Sequence, residues 1–141
     1  MTLPSKKTIF SYLIVFILGT LVGYQVPGLF SEFQYRKLEK QAQNQLKKYP
    51  NEANSWLLIS QYKWRRGDKE GAFAAANKAL EIDPNYVLAL EAIAYNYMDL
   101  GELPKAKEWM EKALKVAQIH SPGQVEIIKF SLEQIEKDLK P

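Results

Sequence analysis

Residues 54–59, Asn-Ser-Trp-Leu-Leu-Ile, have a counterpart 34 positions later in Leu-Ala-Leu-Glu-Ala-Ile at 88–93. The same offset carries Arg66-Gly67-Asp68 onto Leu100-Gly101-Glu102, Ala72 onto Ala106, and Lys78-Ala79-Leu80 onto Lys112-Ala113-Leu114. A fixed period of this length restricts the architecture more than any other feature of the chain. Each repeat must be one supersecondary unit that buries its apolar face only against its neighbours.

The residues at the repeated positions say what that unit is. Gly67 and Gly101 accept the positive φ of a turn between two helices. Pro84 stops the second helix and opens the next repeat. Ala72, Ala79, Ala94, Ala106 and Ala113 are small enough to let neighbouring helices approach closely. Two repeats are too few to bury a continuous core. The flanks supply the rest. Phe33, Leu38, Ala42 and Leu46 form a helical face within 31–48 that ends at Tyr49-Pro50, and Pro50 lies 34 residues before Pro84. That segment reads as the second half of a preceding repeat. Val125, Ile128, Leu132, Ile135 and Leu139 recur every three or four residues, opposite Glu133, Lys137 and Asp138. They predict a capping helix that starts near Ser121-Pro122.

On these residues the chain resembles the tetratricopeptide (TPR) family. Trp56, Ile59 and Ser60, then Gly67, then Ala72, Ala76, Ala79 and Asp83-Pro84 follow its pattern in the first full repeat. Leu90, Ile93, Ala94 and Tyr97, then Gly101, then Ala106, Met110 and Ala113 follow it in the second. Two positions depart. Lys63 stands where the pattern has Tyr, with Tyr62 beside it as a substitute, and Gln118 stands where it has Pro. The expected fold is all-α: one transmembrane helix, then a TPR α-solenoid of about six helices. The expected divisions are 1–30 for the tail and anchor, 31–52 for the flanking half-repeat, 53–120 for two repeats and 121–141 for the cap.

The anchor rests on residues 8–31, where no residue carries a charge. At about 1.5 Å per residue this stretch reaches roughly 36 Å, against a hydrocarbon core of about 30 Å. Tyr12 and Tyr24 suit the two interfaces. A cleaved signal peptide shares the charged start and apolar core, but Val22-Gly23-Tyr24-Gln25-Val26 offers no small-x-small cleavage site, which favours an uncleaved anchor. Lys6 and Lys7 before the segment favour a cytoplasmic N-terminus and a periplasmic, extracytoplasmic or lumenal domain. Gly19 and Gly23 form a G-x-x-x-G pair that suits close packing of a second membrane helix.

Composition removes several function classes. The chain has 19 basic and 16 acidic residues, and Lys6 and Lys7 precede every acid, so the remainder holds 17 bases against 16 acids. That is no footprint for a nucleic acid. With no cysteine and one histidine, His120, there is no thiol chemistry and no multi-histidine metal or haem site. No phosphate loop, catalytic carboxylate pair or nucleophile elbow appears. We therefore expect no enzyme, no cofactor and no metal.

The resemblance implies peptide binding along the concave face lined by the first helix of each repeat. The implied lining residues are Asn54, Leu57, Gln61, Trp64 and Arg65, then Leu88, Glu91, Tyr95, Met98 and Asp99. Trp64 and Tyr95 are expected as exposed anchors, and Trp56 and Trp109 as core. The family's carboxylate clamp wants Lys and Asn where Leu57 and Gln61 stand, so that mode is absent. The expected function is a membrane-anchored adaptor or assembly factor for a membrane-associated complex. The layout resembles TPR subunits of cytochrome c maturation and TPR assembly factors of photosynthetic membranes. The alternative is a permanent structural subunit docked through Gly19 and Gly23.

Overall fold

A computed structural model describes residues 32–140. The expected membrane helix, with Gly19 and Gly23, lies outside the described residues. Among those residues, no helix is long and apolar enough to cross a membrane. The chain divides into two units, Met1–Lys37 and Leu38–Pro141. Of the first, only residues 32–37 are described. They are the opening turns of helix α1 (32–48), where Glu32 and Arg36 pair one turn apart at 3.3 Å and Phe33 is 67% exposed. Phe33 was expected on the packed face of this helix. It is not packed there.

The second unit continues α1 and adds α2 (Ala53–Arg65), α3 (Lys69–Ile82), α4 (Val87–Asp99), α5 (Leu103–His120), a 3₁₀ turn (Pro122–Gln124) and α6 (Val125–Asp138). Helix α2 pairs with α3, α4 with α5, and α6 packs back on α5, while α4 also touches α2 and α3. Each hairpin buries its apolar stripe against the next, as a solenoid requires. Ala42 of α1, Ile59 of α2 and Ala75 of α3 form the first apolar cluster. Ala53, Leu57, Ala79 and Ala89 form the second. The third and largest joins Leu90 and Ala94 of α4 and Met110 and Ala113 of α5 to Ile128 and Ile135 of α6. All five alanines expected at close helix approaches are fully buried.

The two glycine turns are built alike. Gly67 and Gly101 have φ of 85° and 74°. In the first turn Gly67 N–H donates to Trp64 O and Asp68 N–H to Lys63 O; in the second Gly101 N–H donates to Met98 O and Glu102 N–H to Tyr97 O. This is the Schellman closure, which needs a left-handed residue at the glycine position. Asp68 then caps α3, accepting from Gly71 N–H at 2.9 Å.

The two departures from the family pattern have visible consequences. Without proline at 118, α5 runs 18 residues where α3 runs 14. Lys63, in the tyrosine position, reaches Asp68 at 2.6 Å. Tyr62 packs instead beside the Ala42–Ile59–Ala75 cluster. In the second repeat Tyr97 keeps the family position and lies 4.8 Å from the Phe73 ring.

Candidate functional site

Helices α2 and α4 stand side by side, and one register along each presents the expected binding residues. Between them lies a cleft of about 280 Å³. Gln61, Trp64 and Arg65 line it from α2, and Tyr95, Asn96 and Asp99 from α4, with Ser60 and Ala92 also on its wall. The structure therefore brings together Gln61, Trp64, Arg65, Tyr95 and Asp99 as the sequence implied.

The other expected residues fall elsewhere. Leu57 is 3% exposed and sits in the core with Ala53, Ala79 and Ala89, so it is not a lining residue. The alanines around it leave a hollow that a leucine fills. Met98 packs against the α4–α5–α6 core. Asn54 accepts the Tyr86 hydroxyl at 3.1 Å. Leu88 is 42% exposed and Tyr95 41%. Glu91 lies between them on the same helix face, yet is only 8% exposed. Burial raises its carboxyl above the usual range.

Neither expected aromatic anchor is free. Trp64 is half-buried, donates its indole N–H to Asp99 Oδ2 at 2.9 Å, meets Phe73 edge-on at 5.8 Å, and carries the Lys69 ammonium 3.4 Å from its ring. It bolts α2 to α4. Tyr95 shares a 2.9 Å hydrogen bond with the Ser131 hydroxyl of α6. The ring stays open on one side while the hydroxyl is tied. Trp56 is half-buried between two core clusters, with its indole N–H on Pro50 O at 2.9 Å. Trp109 packs at the edge of the third cluster.

Three features of the face were not singled out from sequence. The Asn96 side chain, 7% exposed, leaves Nδ2 without a hydrogen-bond partner on the cleft wall. Ile127 and Phe130 of α6 are 63% and 62% exposed. They share a helix face with Ser131, which meets Tyr95, so they extend the α4 surface. Their signal was available: both lie off the Val125–Ile128–Leu132–Ile135 stripe yet are large and apolar.

A larger hollow of about 460 Å³ opens at the other end of these helices, among Asp83, Asn85, His120 and Gln124. Among the described residues no group of three or more potential ligands could hold a metal ion.

The comparisons with known proteins agree with this architecture. The tetratricopeptide repeat profile matches residues 28–122. No curated protein sequence matches the chain. Among solved structures, the TPR2B domain of yeast Sti1 in its pHsp70 complex superposes with a TM-score of 0.65 at 19% identity, covering 84% of this chain and 96% of that one. The TPR2AB domain of yeast Sti1 in its pHSP90 complex gives 0.64 at 19% identity, covering 83% and 46%. The Yersinia enterocolitica type III secretion translocator chaperone SycD gives 0.59 at 14% identity, covering 88% and 84%. The helical hairpins, the paired glycine turns and the matched profile together make this chain a member of the tetratricopeptide repeat family.

Proposed function

We propose that this protein is a membrane-anchored, non-catalytic adaptor that holds a segment of a partner protein in the groove of α2, α4 and α6. The observation that carries the reading is the cleft between α2 and α4, with Gln61, Arg65 and Tyr95 exposed along it. Polar groups on a partly apolar concave wall suit a protein segment. The similar solved domains named above are recorded in complex with pHsp70 and pHSP90, which fits a peptide-holding use of this fold. Residues 8–31 supply the anchor in this reading, and the adaptor serves assembly of a membrane-associated complex.

The test is to block the cleft without removing a bond. Gln61 is exposed and makes no contact that the fold needs. Gln61→Trp in the full-length protein, extracted in mild detergent, should lower recovery of the native partner at least about tenfold, the effect of one lost contact of about 1.4 kcal/mol. Lys78→Trp on the exposed side of α3 should leave recovery unchanged. Equal recovery with both variants would rule the cleft out as the docking site.

A further inference from the structure

Glu91 is a carboxylate placed where a carboxylate is costly. It is 8% exposed. No lysine, arginine or hydrogen-bond donor of the described residues reaches it. Its oxygens still reach solvent, since Asn96 Nδ2 is the one fully buried side-chain polar atom without a partner among the described residues. A mostly desolvated carboxylate that is unpaired yet reachable is suited to a cation brought by a partner.

Its surroundings describe that partner. Leu88 and Tyr95 flank it on the same helix face, and both are open. Helix α5 runs antiparallel to α4, and α6 antiparallel to α5, so α4 and α6 run in one direction. Tyr95 and Ser131 are bonded, and Glu91 and Ile127 each lie one turn before that pair, at the same level. The exposed Ile127 and Phe130 of α6 therefore stand beside the Leu88–Tyr95 face of α4 near the level of Glu91.

Resting on the groove reading above, we infer that the bound segment carries a lysine or arginine whose cation seats on Glu91, next to an aliphatic or aromatic side chain on Ile127 and Phe130. A cation supplies the opposite charge that Glu91 lacks. The stem of Lys or Arg lies along Leu88 and Tyr95 while the head reaches the carboxylate. An acidic segment would set a second negative charge against an unscreened one. The raised carboxyl agrees with this, because desolvation without a counter-charge is its cause.

The experiment selects 12-residue peptides from a random displayed library on the full-length protein in lipid nanodiscs. The selected set should be enriched in Lys or Arg beside Leu, Ile or Phe. For the tightest Arg-containing peptide, replacing Arg by the neutral isostere citrulline should weaken binding at least about thirtyfold, the range for one partner of a buried charge pair. Glu91→Gln should weaken the Arg peptide equally and leave the citrulline peptide nearly unchanged. A melt of Glu91→Gln at or above that of the wild type checks that the variant is folded. Enrichment in Asp or Glu, no charge preference, or Arg dependence that survives Glu91→Gln would overturn the cation site while leaving the groove intact. Peptides whose binding ignores Gln61→Trp would overturn the groove itself, and an empty selection would overturn both.

Discussion

Side chains that bridge repeats do so at offsets close to the repeat length. Trp64 meets Asp99 35 residues on, Tyr86 meets Asn54 32 residues back, and Tyr95 meets Ser131 36 residues on. The position of Trp64 on a first helix was readable from the period. Its bond was not, because reading it requires pairing each residue with its neighbour one repeat away rather than with its own helix. Leu57 shows the same limit: its burial depends on the size of Ala79 and Ala89, contributed by two other helices. Leu57→Ala should therefore lower stability by about 2–5 kcal/mol in thermal or urea melts, as a core truncation does. A change within the range of surface substitutions would return Leu57 to the groove. Glu91 gives the opposite case. With its folded carboxyl raised, the native state gives up this proton at a higher pH than the unfolded chain does. Its contribution is fully favourable below the unfolded carboxylate value and is lost as pH rises through the folded one. Glu91→Gln should therefore melt above wild type at neutral pH and converge with it in acid. A lower melt at neutral pH would mean that the free protein already supplies Glu91 with a cation.

At the level of helices and turns, the repeat period reported most of what folded. The glycine turns, the buried alanines and the stop at Pro84 were legible, because each depends on local chain geometry. The left-handed turn predicts that Gly67→Ala or Gly101→Ala costs about 1–2 kcal/mol in thermal melts, even though nothing lies within 4 Å of an added Cβ. No loss would show that the turn can close through another conformation. The long α5 yields a less intuitive expectation. Gln118→Pro restores the family pattern, yet proline there removes a helix hydrogen bond and crowds the carbonyl of Leu114. It should destabilise by about 3 kcal/mol, because α5 must reach His120 before α6 can fold back on it. A neutral or stabilising outcome would mean that the last turn of α5 is dispensable. The face of α6 was half legible. Its buried stripe follows the three-four spacing, but Ile127 and Phe130 gain meaning only once Tyr95 is seen to bond Ser131.

At the scale of the whole molecule, the proposed anchor at 8–31 precedes a TPR domain that exposes Gln61 and Arg65 on α2 and Ile127 and Phe130 on α6. If the anchor is retained, the intact mass of membrane-extracted protein includes Met1 and the full apolar segment. A mass beginning between Tyr24 and Gly28 would identify a cleaved leader instead. The central claim, however, is that α2, α4 and α6 form one face that holds a partner. Site-specific photocrosslinking in native membranes tests it most directly. A benzophenone amino acid placed singly at Gln61, Leu88 or Ile127 should crosslink one and the same partner protein, since all three are exposed residues assigned to that face. The same group at Lys78 on α3 or Lys115 on α5, also exposed, should not. Crosslinks to that partner from Lys78 and Lys115, with none from Gln61, Leu88 and Ile127, would contradict the account by placing the docking surface on the second helices.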